Sequence, residues 1–224
     1  LISRNFKIFS ENSQNIGKIK TEQFTIQLTS ELPINLRPYK CSPEDQSRID
    51  AQVKDLLEQQ IIRPSTSPYS FPVVLVNKKD DGEKARMCIN YIKLNEITKT
   101  ECYPMPRMED IQDLLLDAEI FSVLDLASGF WHIEVKKDDV PKTAFSTNHG
   151  HYEWLRMPFG LKNAPIVFQR VVANLLAKHN MLKFAQNYID DVIIFSKNAS
   201  EHLTHLQLLF NMAKEEGLKF KLSK

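Results

Sequence analysis

Short runs of alternating or wholly apolar residues dominate this chain, and in four places the hydrophobic spacing lengthens to that of a helix. Residues 1–40 carry little pattern beyond the alternating FTIQL (Phe24 to Leu28), and Pro33 and Pro38 then interrupt the chain. That segment reads as an N-terminal extension or linker lying on the main domain. A first helix is expected over 43–62, with Ser42 as N-cap, Pro43 at the first helical position and acids in the first turn. Ile49, Val53, Leu56, Leu57 and Ile61 form its apolar face, and Pro64 is its expected stop. FPVVLVNKKDDGEKARMCINY (71–91) reads as two strands around a polar tip at Asp80, Asp81 and Gly82, which gathers Lys78, Lys79, Lys84 and Arg86. Ile111, Leu114 and Leu115 mark a short second helix, and FSVLDLASGFWHIEV is a strand running into a tight Ser128–Gly129 turn.

TAFSTNHGHYEWLRM (143–157) is a further hairpin, in which Asn148-His149-Gly150 supplies residues tolerant of positive φ. NAPIVFQRVVANLLAKHN is a third helix. The last helix is expected to be capped by Ser200, to bury Leu203, Leu206, Phe210 and Ala213, and to stop at Gly217. Hairpins mixed with helices, without regular βαβ alternation, predict an α+β fold with an antiparallel sheet.

Against this pattern one stretch is anomalous. In NYIDDVIIFS (187–196) two carboxylates interrupt what is otherwise a strand heading for a core, and burying them unpaired is costly. In a regular strand Asp190 and Asp191 would point to opposite faces; at the two-residue turn of a hairpin both reach the loop tip. Asp125 ends another apolar strand, and the three acids converge if the two strands pair. An oxygen-only donor set without nearby His or Cys suits a hard cation such as Mg²⁺ better than zinc.

Composition adds mainly exclusions. The 224 residues are 42% hydrophobic and 25% charged, ordinary for a globular protein. With 29 basic against 28 acidic residues, any nucleic-acid surface must come from local clustering. Cys41, Cys88 and Cys102 are odd in number and widely spaced, which points to buried thiols in a reducing compartment rather than to disulfides or a metal knuckle. No apolar run is long enough to span a membrane, and LISRNFKIFS lacks both an initiator Met and a signal-peptide layout, so the chain reads as a piece of something longer. His202 and His205 share a helical face without evident partners, and neither a protease triplet nor a phosphate loop is present.

Taken together, YIDD, VLDLASGFWHIEV, KTAFSTNHGHYEWLRMPFGLKNAPIVFQRVV, IIRPSTSPYSFPVVLVNKKD, RMCINYIKLN and EHLTHL resemble the reverse transcriptases of long-terminal-repeat retrotransposons of the Ty3/gypsy type, from about residue 33 onward. The resemblance implies the right-hand fold with fingers and palm only and an antiparallel palm sheet backed by helices. The fingers would be 41–99 and 133–163, and the palm 100–132 and 164–224; the thumb, connection and ribonuclease H segments would lie elsewhere in the polyprotein. It also implies an RNA-directed and DNA-directed DNA polymerase working with two Mg²⁺ ions, about 3.5–4 Å apart in such sites, with Mn²⁺ as a substitute. Partners would be an RNA or DNA template with a DNA primer, dNTPs and the remaining Pol segments, without a membrane; the place would be the cytoplasm, inside virus-like particles.

On the same resemblance Asp125, Asp190 and Asp191 are catalytic and hold the metals together with the Leu126 carbonyl. Lys78 and Arg86 meet the phosphates, and Arg has the forked donors for it. Ser128, Gly129 and Phe130 form the nucleotide pocket, with Phe130 closing it against a ribose 2′-hydroxyl. Phe159 and Gly160 line the incoming nucleotide, and Tyr188 packs at the primer end. The chain departs from the family at Asn90 and Ile92, where Asp and Arg are common, and at Ala85, where Trp is common, in a tip loop one residue longer than expected. Two rival readings share the pattern: a relic that binds nucleic acid without copying it, and an RNA-dependent RNA polymerase, against which Phe130 speaks.

Overall fold

The computed structural model describes residues 2–10, 16–77 and 85–222. In chain order the strands are β1 (Phe9–Ser10), β2 (Gln23–Phe24), β3 (Ile62–Pro64), β4 (Phe71–Asn77), β5 (Ala85–Ile89) and β6 (Ile120–Asp125). They continue as β7 (Glu134–Val135), β8 (Phe145–Ser146), β9 (His151–Trp154), β10 (Ala185–Tyr188), β11 (Asp191–Ser196) and β12 (Phe220–Lys221). The α-helices are α1 (Pro43–Glu58), α2 (Ile92–Ile97), α3 (Met108–Leu115), α4 (Ala164–Lys178) and α5 (Ala199–Glu216). Helices and mostly antiparallel strands are intermixed, an α+β fold. The chain forms two compact units, each discontinuous in sequence: residues 1–22, 101–133 and 165–224, and residues 23–100 and 134–164.

The first unit is built on the antiparallel sheet β10-β11-β6. Along β11, Val192, Ile194 and Ser196 are buried, and α5 packs on this strand. Phe168, Val172 and Leu176 of α4, Leu209 of α5 and Phe220 of β12 are fully enclosed. The segment expected as an extension is divided between the units at residue 22. Its first part pairs β1 in parallel with β12, and Phe9 meets Phe210 of α5 edge-on at 5.4 Å.

The second unit carries the sheet β3-β9-β8-β4-β5, antiparallel except for the parallel β4–β8 pair. Phe71, Tyr91, Leu94, Phe145 and Met157 fill its core. The buried Tyr91 hydroxyl is satisfied by the Thr143 carbonyl at 2.7 Å. In α1, Ser42 caps as expected, its hydroxyl accepting the Asp45 N–H at 3.1 Å. The helix ends at Glu58 rather than near Pro64, because Gln60 turns left-handed (φ +55) and Ile62–Pro64 pair with β9. The 147–150 tip needs no positive φ: the Thr147 hydroxyl accepts the N–H groups of both His149 and Gly150. Helix α2 lacks a sequence signal of its own; Asn90 sets its start by accepting the Ile92 N–H at 3.2 Å.

Candidate active site

Strands β10 and β11 form a hairpin whose last pair is Tyr188 opposite Asp191, leaving Ile189 and Asp190 as a two-residue turn. Both acids are expected in the turn; instead the turn lies one residue earlier, Asp191 is the first residue of β11, and the positive φ falls on Ile189, at φ +54. For a β-branched residue this is strained, by about 1–3 kcal/mol, and it persists only where the surroundings impose it. Gln169 of α4 imposes it. This side chain is 1% exposed, accepts the Ile189 N–H at 2.7 Å and donates to the Asn187 carbonyl at 3.0 Å. The Asn187 amide returns a bond to the Gln169 carbonyl at 3.2 Å.

Asp125, the last residue of β6, lies opposite Asp191 in the β6–β11 register, so the two share one face of the sheet. The next residue, Leu126, donates its N–H to the Asp190 carbonyl at 2.9 Å. All three aspartates thus meet at one end of one sheet. They are less buried than a strand-centre position implied: Asp190 is exposed, and Asp125 and Asp191 are half-buried, which lowers the desolvation cost.

Beyond Leu126 the backbone turns left-handed at Ser128 (φ +53) and enters a 3₁₀ turn, Gly129–His132. A Cβ on Gly129 would lie 3.0 Å from the Phe168 ring and 3.2 Å from the Asp190 Cβ, so the absence of a side chain is what lets this turn close against the carboxylates. Phe130 meets Phe168 edge-on at 5.5 Å. His132, wholly buried, accepts the Lys219 N–H on Nε2 at 3.0 Å and therefore donates from Nδ1 to the Gly129 carbonyl at 2.9 Å. Together with the Ala127 N–H bonded to the Lys219 carbonyl, it ties the turn to β12. Tyr188, 45% exposed, stands on the carboxylate face.

The remaining expected site residues belong to the second unit. Arg86 is exposed on β5 opposite Val76, and Phe159 is 46% exposed. Gly160, at φ +90, accepts a bond from the Asn95 amide at 2.9 Å. Lys78, like Lys79 and Lys84, lies outside the described residues.

Carboxylate oxygens at adjacent strand ends, with a glycine cradle beside them, fit hard divalent cations. A separate group, His179, Glu215 and Glu216, also brings possible ligand atoms within 4.8 Å of one another. There the buried Glu216 carboxylate already takes Lys178 Nζ at 2.6 Å and His179 Nε2 at 2.9 Å, an ion-pair staple between the ends of α4 and α5. Sequence reasoning missed Gln169, Asn187 and His132, whose roles exist only in tertiary contacts.

A family model described as "Reverse transcriptase (RNA-dependent DNA polymerase)" matches residues 76–224. The Retrovirus-related Pol polyprotein from transposon 297 of Drosophila melanogaster is 42% identical over 207 residues, 91% of this chain and 20% of that protein. The enzymatic polyprotein of cauliflower mosaic virus (strain Strasbourg) is 36% identical over 216 residues, 95% of this chain and 32% of that protein. Among solved structures, the foamy viral protease–reverse transcriptase in complex with RNA/DNA hybrid superposes with a TM-score of 0.88 at 26% identity, over 100% of this chain and 30% of that one. The chain therefore spans between a fifth and a third of the length of these relatives.

Proposed function

From the premise that the chain belongs to the reverse transcriptase family, we propose that it is the fingers and palm of an RNA-directed and DNA-directed DNA polymerase from a Ty3/gypsy-type retrotransposon. It would join a dNTP to the 3′-hydroxyl of a DNA primer on an RNA or DNA template, in the cytoplasm within virus-like particles. One observation carries this reading: the register that sets Asp125 opposite Asp191, with Leu126 bonded to Asp190.

In this reading Asp125, Asp190 and Asp191, with the Leu126 carbonyl, hold two Mg²⁺ ions. When bound, the ions supply Lewis-acid activation of the primer hydroxyl and charge stabilisation for the leaving pyrophosphate. The chain's own residues do the positioning. Gln169 fixes the strained turn that presents Asp190; Gly129 leaves room beside the carboxylates; Ser128 starts the turn that carries Phe130, whose ring excludes a 2′-hydroxyl. Tyr188 seats the primer end, Lys78 and Arg86 offer charge-assisted donors to the triphosphate, and Phe159 with Gly160 lines the nucleotide.

The test is Mg²⁺-dependent extension of a DNA primer on an RNA template by this chain and by a version carrying its natural downstream sequence. Asp190→Asn should abolish extension and leave the fold intact, since it removes a like charge. An Asp190→Asn variant that extends at the original rate refutes the assignment. A second reading, a relic that binds without copying, is favoured by Asn90, which hydrogen-bonds Tyr39 and accepts the Ile92 N–H where the family carries a charge. Tight, metal-independent primer–template binding without extension by either version would establish it.

A further inference from the structure

We propose that His202 of α5 is a positioning residue for the carboxylate site, acting by clasping the strand that carries Asp125 to the strand that carries Asp191. The inference rests on the reading of these aspartates as metal ligands. The imidazole is 6% exposed, and its two nitrogens reach two different strands. Nε2 lies 2.8 Å from the Ser122 hydroxyl of β6, and Nδ1 lies 2.9 Å from the Ser196 hydroxyl of β11.

This clasp matters because β6 contributes weakly buried side chains to the sheet, so its backbone ladder to β11 has little side-chain packing to fix it. The strand is at the edge of its sheet, and none of its six residues is fully buried. On the carboxylate face Phe121 and Val123 are 46% and 56% exposed, leaving Ser122 and Leu124 to face the helix side. A strand so weakly buried specifies its register poorly, and a slip by one residue would turn Asp125 to the opposite face from Asp191. Leu126, 1% exposed, anchors the carboxylate end of the strand; His202 anchors it four residues earlier, at Ser122.

The hydrogen-bond count closes around a neutral imidazole. Ser196 Oγ also lies 2.8 Å from His205 Nδ1, and His205 stacks flat on Phe184 at 3.8 Å. One serine hydroxyl donates once and accepts freely, so Ser196 can donate to one imidazole while accepting from the other, and Ser122 completes the chain. Burial, and then the neighbouring His205, hold the His202 pKa below its ordinary value, in keeping with this neutral network.

The readout is Mn²⁺ affinity, measured by loss of the free-ion paramagnetic resonance signal on the full chain well below its unfolding temperature. Asp190→Asn defines binding at the site. His202→Phe, which keeps a ring but removes both nitrogens, should weaken that binding about tenfold, the scale seen when residues supporting metal ligands are removed. His202→Gln, which again offers a donor and an acceptor, should restore most of it. A merely structural histidine would lower the melting temperature and leave the Mn²⁺ affinity unchanged, and that result overturns the proposal.

If His202→Phe fails to fold, Ser122→Ala and Ser196→Ala each delete one arm of the clasp. Wild-type affinity in both overturns it equally. Absence of Asp190-dependent Mn²⁺ binding in the wild type defeats the metal reading and this inference together. Wild-type binding without primer extension defeats only the polymerase reading and still decides the role of His202.

Discussion

Ile189 holds a backbone conformation that a β-branched residue avoids, between two residues on which the proposed chemistry depends. Its cost is met by Gln169, whose side chain saturates both backbone groups it faces. Gln169→Leu should orphan the Ile189 N–H and the Asn187 carbonyl and lower stability by about 1–3 kcal/mol, read by urea denaturation. Primer extension should fall as well, since the turn is then free to relax; unchanged extension would show that the strained geometry is dispensable. The half-buried Phe130 ring rests edge-on against the buried Phe168, so the core supports it where it reaches the proposed pocket. Phe130→Ala should lower discrimination against ribonucleotides by at least about tenfold, a scale ordinary for pocket contacts. Competition between ribo- and deoxyribonucleotides in single-turnover extension measures it, and unchanged selectivity would remove Phe130 from the pocket. The YIDD box was legible because its residues are contiguous and its two central charges contradict the apolar run around them. Gln169, eighteen residues before Asn187 inside an unremarkable helix, carries no such local contradiction.

Helix α5 shows where periodicity is informative and where it misleads. Its extent and its stop were readable, since Gly217 takes the left-handed C-cap at φ +78. Its N-cap is Asn198, which accepts the Glu201 N–H, rather than Ser200, two residues on. Its buried face is also rotated: Leu203 is 55% exposed, and His202 occupies the inward position, because two serine hydroxyls on the sheet reward a polar side chain there. The same helix sets an acid response in two stages. His202, kept neutral by burial, contributes stability that is complete above its unfolded pKa, near 6.5, and is lost as the pH falls towards its lower folded value, because the unfolded state then binds the extra proton. Glu216 behaves alike at lower pH. Burial raises its pKa, but the hydrogen bonds and charges of Lys178 and His179 outweigh that, so its contribution is present above the unfolded value of 4.5 and fades below it. Melting temperatures between pH 7.5 and 4 should therefore fall, with His202→Gln flattening the upper stage and Glu216→Gln the lower. A profile identical in either variant and the wild type would assign that stage to other groups.

At the scale of the whole chain, the α+β class and the order of hairpins and helices follow from hydrophobic spacing, but the partition into two units does not. The link from 22 to 23 divides a segment that reads as one weakly patterned extension, and the crossings at 100–101, 133–134 and 164–165 carry no Gly/Ser-rich linker signal. Pairing Asp125 with Asp191 requires closing a long excursion that includes residues 134–164 of the other unit, a contact far apart in sequence that no local pattern encodes. Each unit nevertheless encloses its own core, around Leu94 and Phe71 in one and Phe168 and Leu209 in the other. Units with separate cores can open separately. Leu94→Ala should cost about 2–5 kcal/mol and Phe168→Ala about 3–5 kcal/mol, from lost burial and the cavity left behind. Hydrogen exchange should then show the first variant losing protection in β4 and β8 while β10 and β11 stay slow, and the second the reverse. Equal loss across all four strands in either variant would mean that the chain unfolds as one cooperative body, and that the carboxylate site cannot form unless the second core is also intact.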